Sequence, residues 1–282
     1  MRRRTLHLVG AVGLLAGAAA AAAQAATAAT PHRQSPTLPG IGRLIPSLTH
    51  ELLPVHGGTV DSLNWSGYAV TPGSGITGVS STFTVPSAGL LPPGFAATWA
   101  GIGGYNSTDL IQAGVGENSL ITNPITGPQY YAWYELLPNA ETPISGCTGD
   151  PSCTVNPGDS VTVNIQEAAP ATATSPATWT ITLADTGHWT WSDTVPYASS
   201  GSSAEWILEA PTVGLQTLLA DVGTVHFSSD TYNLGGGAAQ SVANGNPTTI
   251  DLSPGLINEA TPSALSGSSF NNCAYAQSCA AP

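Results

Sequence analysis

SVTVNIQEAAPATATSPATWTITLADTG, residues 160–187, decides the fold. Two runs rich in Val, Ile, Thr and Trp flank a cluster of Ala, Thr, Ser and Pro, and the second run stops at Asp185-Thr186-Gly187. β-Branched and aromatic side chains suit a pleated, half-buried surface, and Gly, Pro, Asn and Ser clusters end such runs. The same punctuation recurs in VSSTFTVPSAG (79–89) and SAEWILEAP (203–211). No stretch sustains the 3.6-residue periodicity and caps of a helix. From Asp61 onward the chain therefore reads as all-β. About 220 residues exceed one small sheet and suit an antiparallel two-sheet β-sandwich, a single domain over 61–282.

Charge limits the chemistry of that domain. After Arg43 there is no Lys or Arg, whereas all 17 Asp and Glu lie beyond that point. Such a domain has no Lys for a Schiff base, no Arg phosphate clamp and no basic groove, so nucleic-acid partners are excluded. In acid only His50, His56, His188, His226 and an amino terminus carry positive charge, which removes most of the self-repulsion behind acid unfolding. The composition predicts acid tolerance.

Residues 1–26 read as a signal peptide: a basic start at Arg2-Arg3-Arg4, an apolar run from Leu6 to Ala23, and Ala23-Gln24-Ala25 as a small-residue cleavage site. No later segment has the roughly 18 apolar residues of a membrane helix. A secreted, extracellular and monomeric protein without a membrane span in its mature form is expected. Residues 27–60 carry His32, Arg33, Arg43, His50 and His56 with several Pro and no alternating pattern, the character of a propeptide or flexible leader. Four Cys fall as Cys147/Cys153 and Cys273/Cys279, read most simply as two local disulfide loops, although spacing alone does not choose among three pairings. Their spacing and the absence of neighbouring His do not suit zinc, and no metal or cofactor is expected.

The two-residue period of a strand assigns faces. In AEWILEA, Glu205, Ile207 and Glu209 share one face and Trp206 and Leu208 the other, with the two acids roughly 13 Å apart at about 3.3 Å per residue. In QYYAWYELLP, Tyr131, Trp133, Glu135 and Leu137 share a face. Gln112 lies inside the apolar strand DLIQAGV. Acids and amides in strand interiors are costly unless paired or solvated. One concave face lined by all of them would meet that need, and it is the candidate cleft.

Five segments, NWSGYAV (64–70), TWAGIGG (98–104), LIQAGV (110–115), YAWYELLP (131–138) and AEWILE (204–209), resemble in order and spacing the motifs of the glutamic peptidases, the eqolisin or G1 family. The resemblance implies a jelly-roll or concanavalin-like sandwich and a secreted endopeptidase that works in acid on protein or peptide substrates. By position it implies a catalytic dyad of Gln112 and Glu209. Glu209 would be general base and acid, and Gln112 the oxyanion donor. Trp65, Trp99, Trp133, Glu135 and Glu205 would support the cleft. Several positions depart from the pattern: Gly103, Tyr131 and Ala210 replace Asp, and Leu136 and Leu137 replace aromatics.

Two rival readings remain. A jelly-roll glycoside hydrolase would use Glu135 and Glu209 as its carboxylate pair. A non-catalytic sandwich would bind carbohydrate or protein through the aromatic face. His188 and His226 lie near no G-x-S-x-G turn and read as ordinary histidines rather than members of a serine triad. Asn64 and Asn106 begin N-glycosylation patterns that have meaning only in a eukaryotic secretory host.

Overall fold

The computed structural model describes residues 52–56, 59–119, 127–213, 215–255 and 257–282. The expected signal peptide and most of the expected leader lie outside them. Among the described residues the strands are, in chain order, β1 (Leu52–His56), β2 (Thr59–Ser62), β3 (Trp65–Val70), β4 (Ile76–Thr84), β5 (Ala97–Gly103), β6 (Leu110–Asn118), β7 (Gln129–Leu136), β8 (Thr142–Pro143), β9 (Ser160–Ala169) and β10 (Thr178–Asp185). There follow β11 (Trp189–Pro196), β12 (Ala204–Glu209), β13 (Thr212–Val213), β14 (Leu215–Gln216), β15 (Thr224–Leu234), β16 (Gln240–Ser241), β17 (Thr248–Leu252), β18 (Ala260–Pro262) and β19 (Phe270–Ala274). One 3-10 turn, Val242–Gly245, is the sole helical element among the described residues.

Hydrogen bonding orders these strands into two ladders. The first runs β8–β7–β6–β5–β12–β3–β17–β2–β1. The second runs β11–β10–β9–β4–β15–β19–β18. They join through the single pair Leu252↔Ala260 of β17 and β18, so the backbone network is continuous from one to the other. Pairing is antiparallel throughout both ladders except between β17 and β2.

The ladders pack against each other along the faces that alternation assigns inward. Val161, Val163 and Ile165 of β9, Ile181 and Leu183 of β10 and Phe83 of β4 form one core with Ile111, Ala113 and Val115 of β6 and Trp206 and Leu208 of β12. Trp206 Nε1 donates across the gap to Ser80 O at 2.9 Å, and Asn272 Nδ2 donates to Ser66 O at 2.9 Å. The Phe227 and Phe270 rings stack with centroids 4.6 Å apart, and Tyr68 meets Phe270 edge-on at 4.9 Å. Each large side chain so buried contributes about 1.5–3 kcal/mol.

The expected leader boundary at residue 60 falls inside a strand. β1 and β2 pair with each other and add to the edge of the first ladder. The stretch shows no alternating pattern, but β1 pairs only with β2 among the described residues, and an edge strand has a free side on which the missing N–H of Pro54 costs nothing. Cys147 and Cys153 are joined, as are Cys273 and Cys279.

Candidate active site

The outer face of the first ladder is a grid set by register. One row reads Glu205–Gly101–Gln112–Glu135 across β12, β5, β6 and β7; the next reads Ile207–Trp99–Gly114–Trp133; the third reads Glu209–Ala97–Gly116–Tyr131. β3 adds Trp65 beside Glu209. Small residues in the middle columns leave space that the flanking side chains fill. A Cβ on Gly114 would lie 2.6 Å from Trp99 Cβ, so the bare backbone there is what allows the Trp99 indole to lie across the sheet. Trp65, Trp99, Trp133, Leu137 and Ile207 form the apolar floor, with the Trp65 and Trp99 rings edge to face at 5.0 Å.

Glu209 ends β12 on this floor and is 8% exposed. Trp99 Nε1 donates to its Oε2 at 2.8 Å and Asn64 Nδ2 donates to its Oε1 at 3.1 Å. Burial pushes its carboxyl up to about 7, while the bonds from Trp99, Asn64 and Trp65 pull it down. Gln112 Nε2 donates to Glu135 Oε2 at 2.5 Å. The Gln112 carbonyl oxygen is buried without a hydrogen-bond partner among the described residues, and the amide nitrogen keeps its second hydrogen. Burial raises Glu135 to about 8, and the charge of Glu209 adds to the rise.

A third carboxyl joins them. Glu141, on the turn between β7 and β8, accepts from Tyr131 OH at 2.9 Å. Burial lifts it to about 7, and Glu209 again contributes. Glu209 therefore raises both neighbours, while its own oxygens hold the most donors. Its charge disfavours ionisation of Glu135 and Glu141.

Of the residues expected at the site, Trp65, Trp99, Trp133, Gln112, Glu135 and Glu209 share this face. Glu205 shares the row but is fully buried, and burial drives its carboxyl well above the usual range. The replacement of Asp by Gly103 is built into the backbone. Gly103 has φ +89, and an added Cβ would lie 2.5 Å from Asp109 O and 3.1 Å from Asp109 Oδ2. Another carboxylate thus occupies the neighbourhood. Asn64 and Glu141 were not singled out from sequence. Asn64 drew notice only as a glycosylation pattern, yet it is buried and bonded to Glu209. His188 pairs with Asp185 and His226 with Asn271.

A family model described as the Peptidase A4 family matches residues 63–275, most of the chain and every strand of the site. The chain belongs to the Peptidase A4 family. It is a glutamic peptidase of the G1 group, a hydrolase of peptide bonds. This Peptidase A4 member is 29% identical over 241 residues to Aspergillopepsin-2 of Aspergillus niger, covering 74% of this chain and 77% of that one. Its fold is similar to scytalido-glutamic peptidase solved with a transition state analog inhibitor, at TM-score 0.59 and 21% identity over 75% of this chain and 98% of that one. It is also similar to SCP-B, an eqolisin solved with the tripeptide Ala-Ile-His, at TM-score 0.56, 20% identity and the same coverage.

Proposed function

We propose that this Peptidase A4 member is a secreted acid endopeptidase that hydrolyses protein substrates with Glu209 and Gln112 as its dyad. The observation that carries the reading is the paired anchoring on one face. Glu209 is held on both oxygens by Trp99 and Asn64, and the Gln112 amide is held by Glu135.

In this mechanism water sits between Glu209 and the unpartnered Gln112 carbonyl oxygen. Glu209 takes its proton as the water oxygen attacks the scissile carbonyl, then returns that proton to the leaving amine. The free hydrogen of Gln112 Nε2 donates to the carbonyl oxygen as negative charge develops there, and a preorganised donor of this kind contributes about 3–4 kcal/mol. Glu135, kept protonated, orients the amide through its unprotonated oxygen without competing as a base. Burial holds Glu209 toward its protonated form, while the bonds from Trp99, Asn64 and Trp65 favour the ionised base. Two disulfides support an oxidising, extracellular setting. Turnover of casein by the purified chain, and its loss in Gln112→Ala with the fold retained, tests the dyad; full activity in that variant removes Gln112 from it.

A further inference from the structure

We propose that Asp159, Asp185 and His188 form a binding site for a divalent transition-metal ion of the zinc class, on the second ladder. Asp185 ends β10, His188 occupies the turn into β11, and Asp159 immediately precedes β9, the strand paired with β10. Each offers one ligand atom, and these atoms all lie within 4.8 Å of one another. Donors at about 2.0–2.2 Å around a tetrahedral ion stand about 3.3–3.6 Å apart, so binding requires the trio to draw in by about 1 Å, a movement the exposed His188 ring can supply.

The second observation is the condition of Asp185. Its side chain is 1% exposed, Oδ2 meets His188 Nδ1 at 2.9 Å, and buried Oδ1 has no hydrogen-bond partner among the described residues. The Asp159 carboxyl lies within hydrogen-bonding reach of the Asp185 carboxyl, and Asp159 Oδ2 also accepts from Asn156 N at 2.6 Å and Asn156 Nδ2 at 3.4 Å. Two carboxyls facing each other at a buried position are held together by a shared proton or by a cation. No Lys or Arg exists beyond Arg43 to supply it.

The donor set selects the ion. One imidazole with two carboxylates suits zinc, whereas calcium takes six to eight oxygens. Three protein ligands leave positions for water on the side where His188 is open to solvent, 60% exposed. The ion would tie the start of β9 to the end of β10 and to the turn beyond it, a staple for the edge of the second ladder. The cysteine spacing had argued against zinc; this trio uses none of the cysteines.

Thermal unfolding of the full chain at about pH 7, with ZnCl2, CaCl2 or EDTA, tests the site alongside isothermal titration of ZnCl2. A hundredfold excess of zinc over its Kd raises the midpoint by roughly 5–10 °C. EDTA reverses the rise, and both His188→Ala and Asp159→Asn abolish it while keeping the wild-type midpoint in EDTA. No rise in the wild type overturns the proposal. So does a rise that survives in both variants, which places the ion elsewhere on the chain, or an equal rise with calcium that His188→Ala retains.

Discussion

Trp99 Nε1 donates to Glu209 Oε2 at 2.8 Å from the neighbouring strand, within the floor of the candidate cleft. An indole N–H is a donor at any pH, so this bond favours the ionised carboxyl and opposes the burial that raises it.

Removing that donor has a signed consequence. Trp99→Phe or Asn64→Ala takes away a bond to the charged form, so Glu209 titrates at higher pH and its base form appears later as pH rises. The acid limb of kcat/KM is expected to move to higher pH in both variants, measured on a soluble peptide across mildly acidic to neutral pH. An unmoved limb would mean that another group sets it.

Glu135 separates the peptidase from the glycosidase reading. Its place beside Gln112 makes it a positioning group for the amide, so Glu135→Gln is expected to lower peptidase kcat by about 10- to 100-fold and leave measurable turnover. If Glu135 were one of two essential carboxylates, the same substitution would abolish turnover, and hydrolysis of a soluble glucan by the wild type would accompany that result.

Stability should fall toward alkaline pH. Glu117 is fully buried, and burial raises it from 4.5 to about 8 against a lowering contact from Thr98; Glu135 is raised likewise. A carboxyl with a raised folded value is protonated in the native state. Its stability is fully present below about pH 4.5 and is lost as pH rises through about 8. For a group as buried as Glu117 the loss is on the order of 4 kcal/mol. Midpoints of thermal unfolding should be highest in acid and decline across that window, and Glu117→Gln should flatten the decline. A midpoint that climbs from acid to neutral would refute this ordering.

Trp206 tests the packing between the ladders. It is fully buried and donates to Ser80 O, so Trp206→Ala is expected to cost about 3–5 kcal/mol by chemical denaturation. A cost below about 1 kcal/mol would show that the two ladders do not depend on it.

Alternation put Trp206 and Leu208 on one face of the strand and Ile207 and Glu209 on the other, and the acids marked the second face as the candidate cleft. It could not place Glu141, which lies beyond Pro138 on a turn where no period applies and reaches the cleft only because β8 folds back onto β7. Asn64 was hidden differently. Its motif was legible, but its bond to Glu209 spans 145 residues of chain and depends on the β3–β12 register. The strand at Leu52–His56 carries no alternating pattern, because LLPVH has no polar partner face and pairs only at an edge. The trio of Asp159, Asp185 and His188 is brought together by the β9–β10 pairing and the turn that follows, neither of which its spacing in the chain reveals.

The most direct measurement is kcat/KM for Glu209→Gln on a peptide substrate, with the fold verified by circular dichroism. Glutamine preserves shape and removes the proton acceptor, so a loss of about 10³-fold or more is expected, set by kcat rather than KM. Activity within tenfold of the wild type would contradict the assignment of Glu209 as the general base.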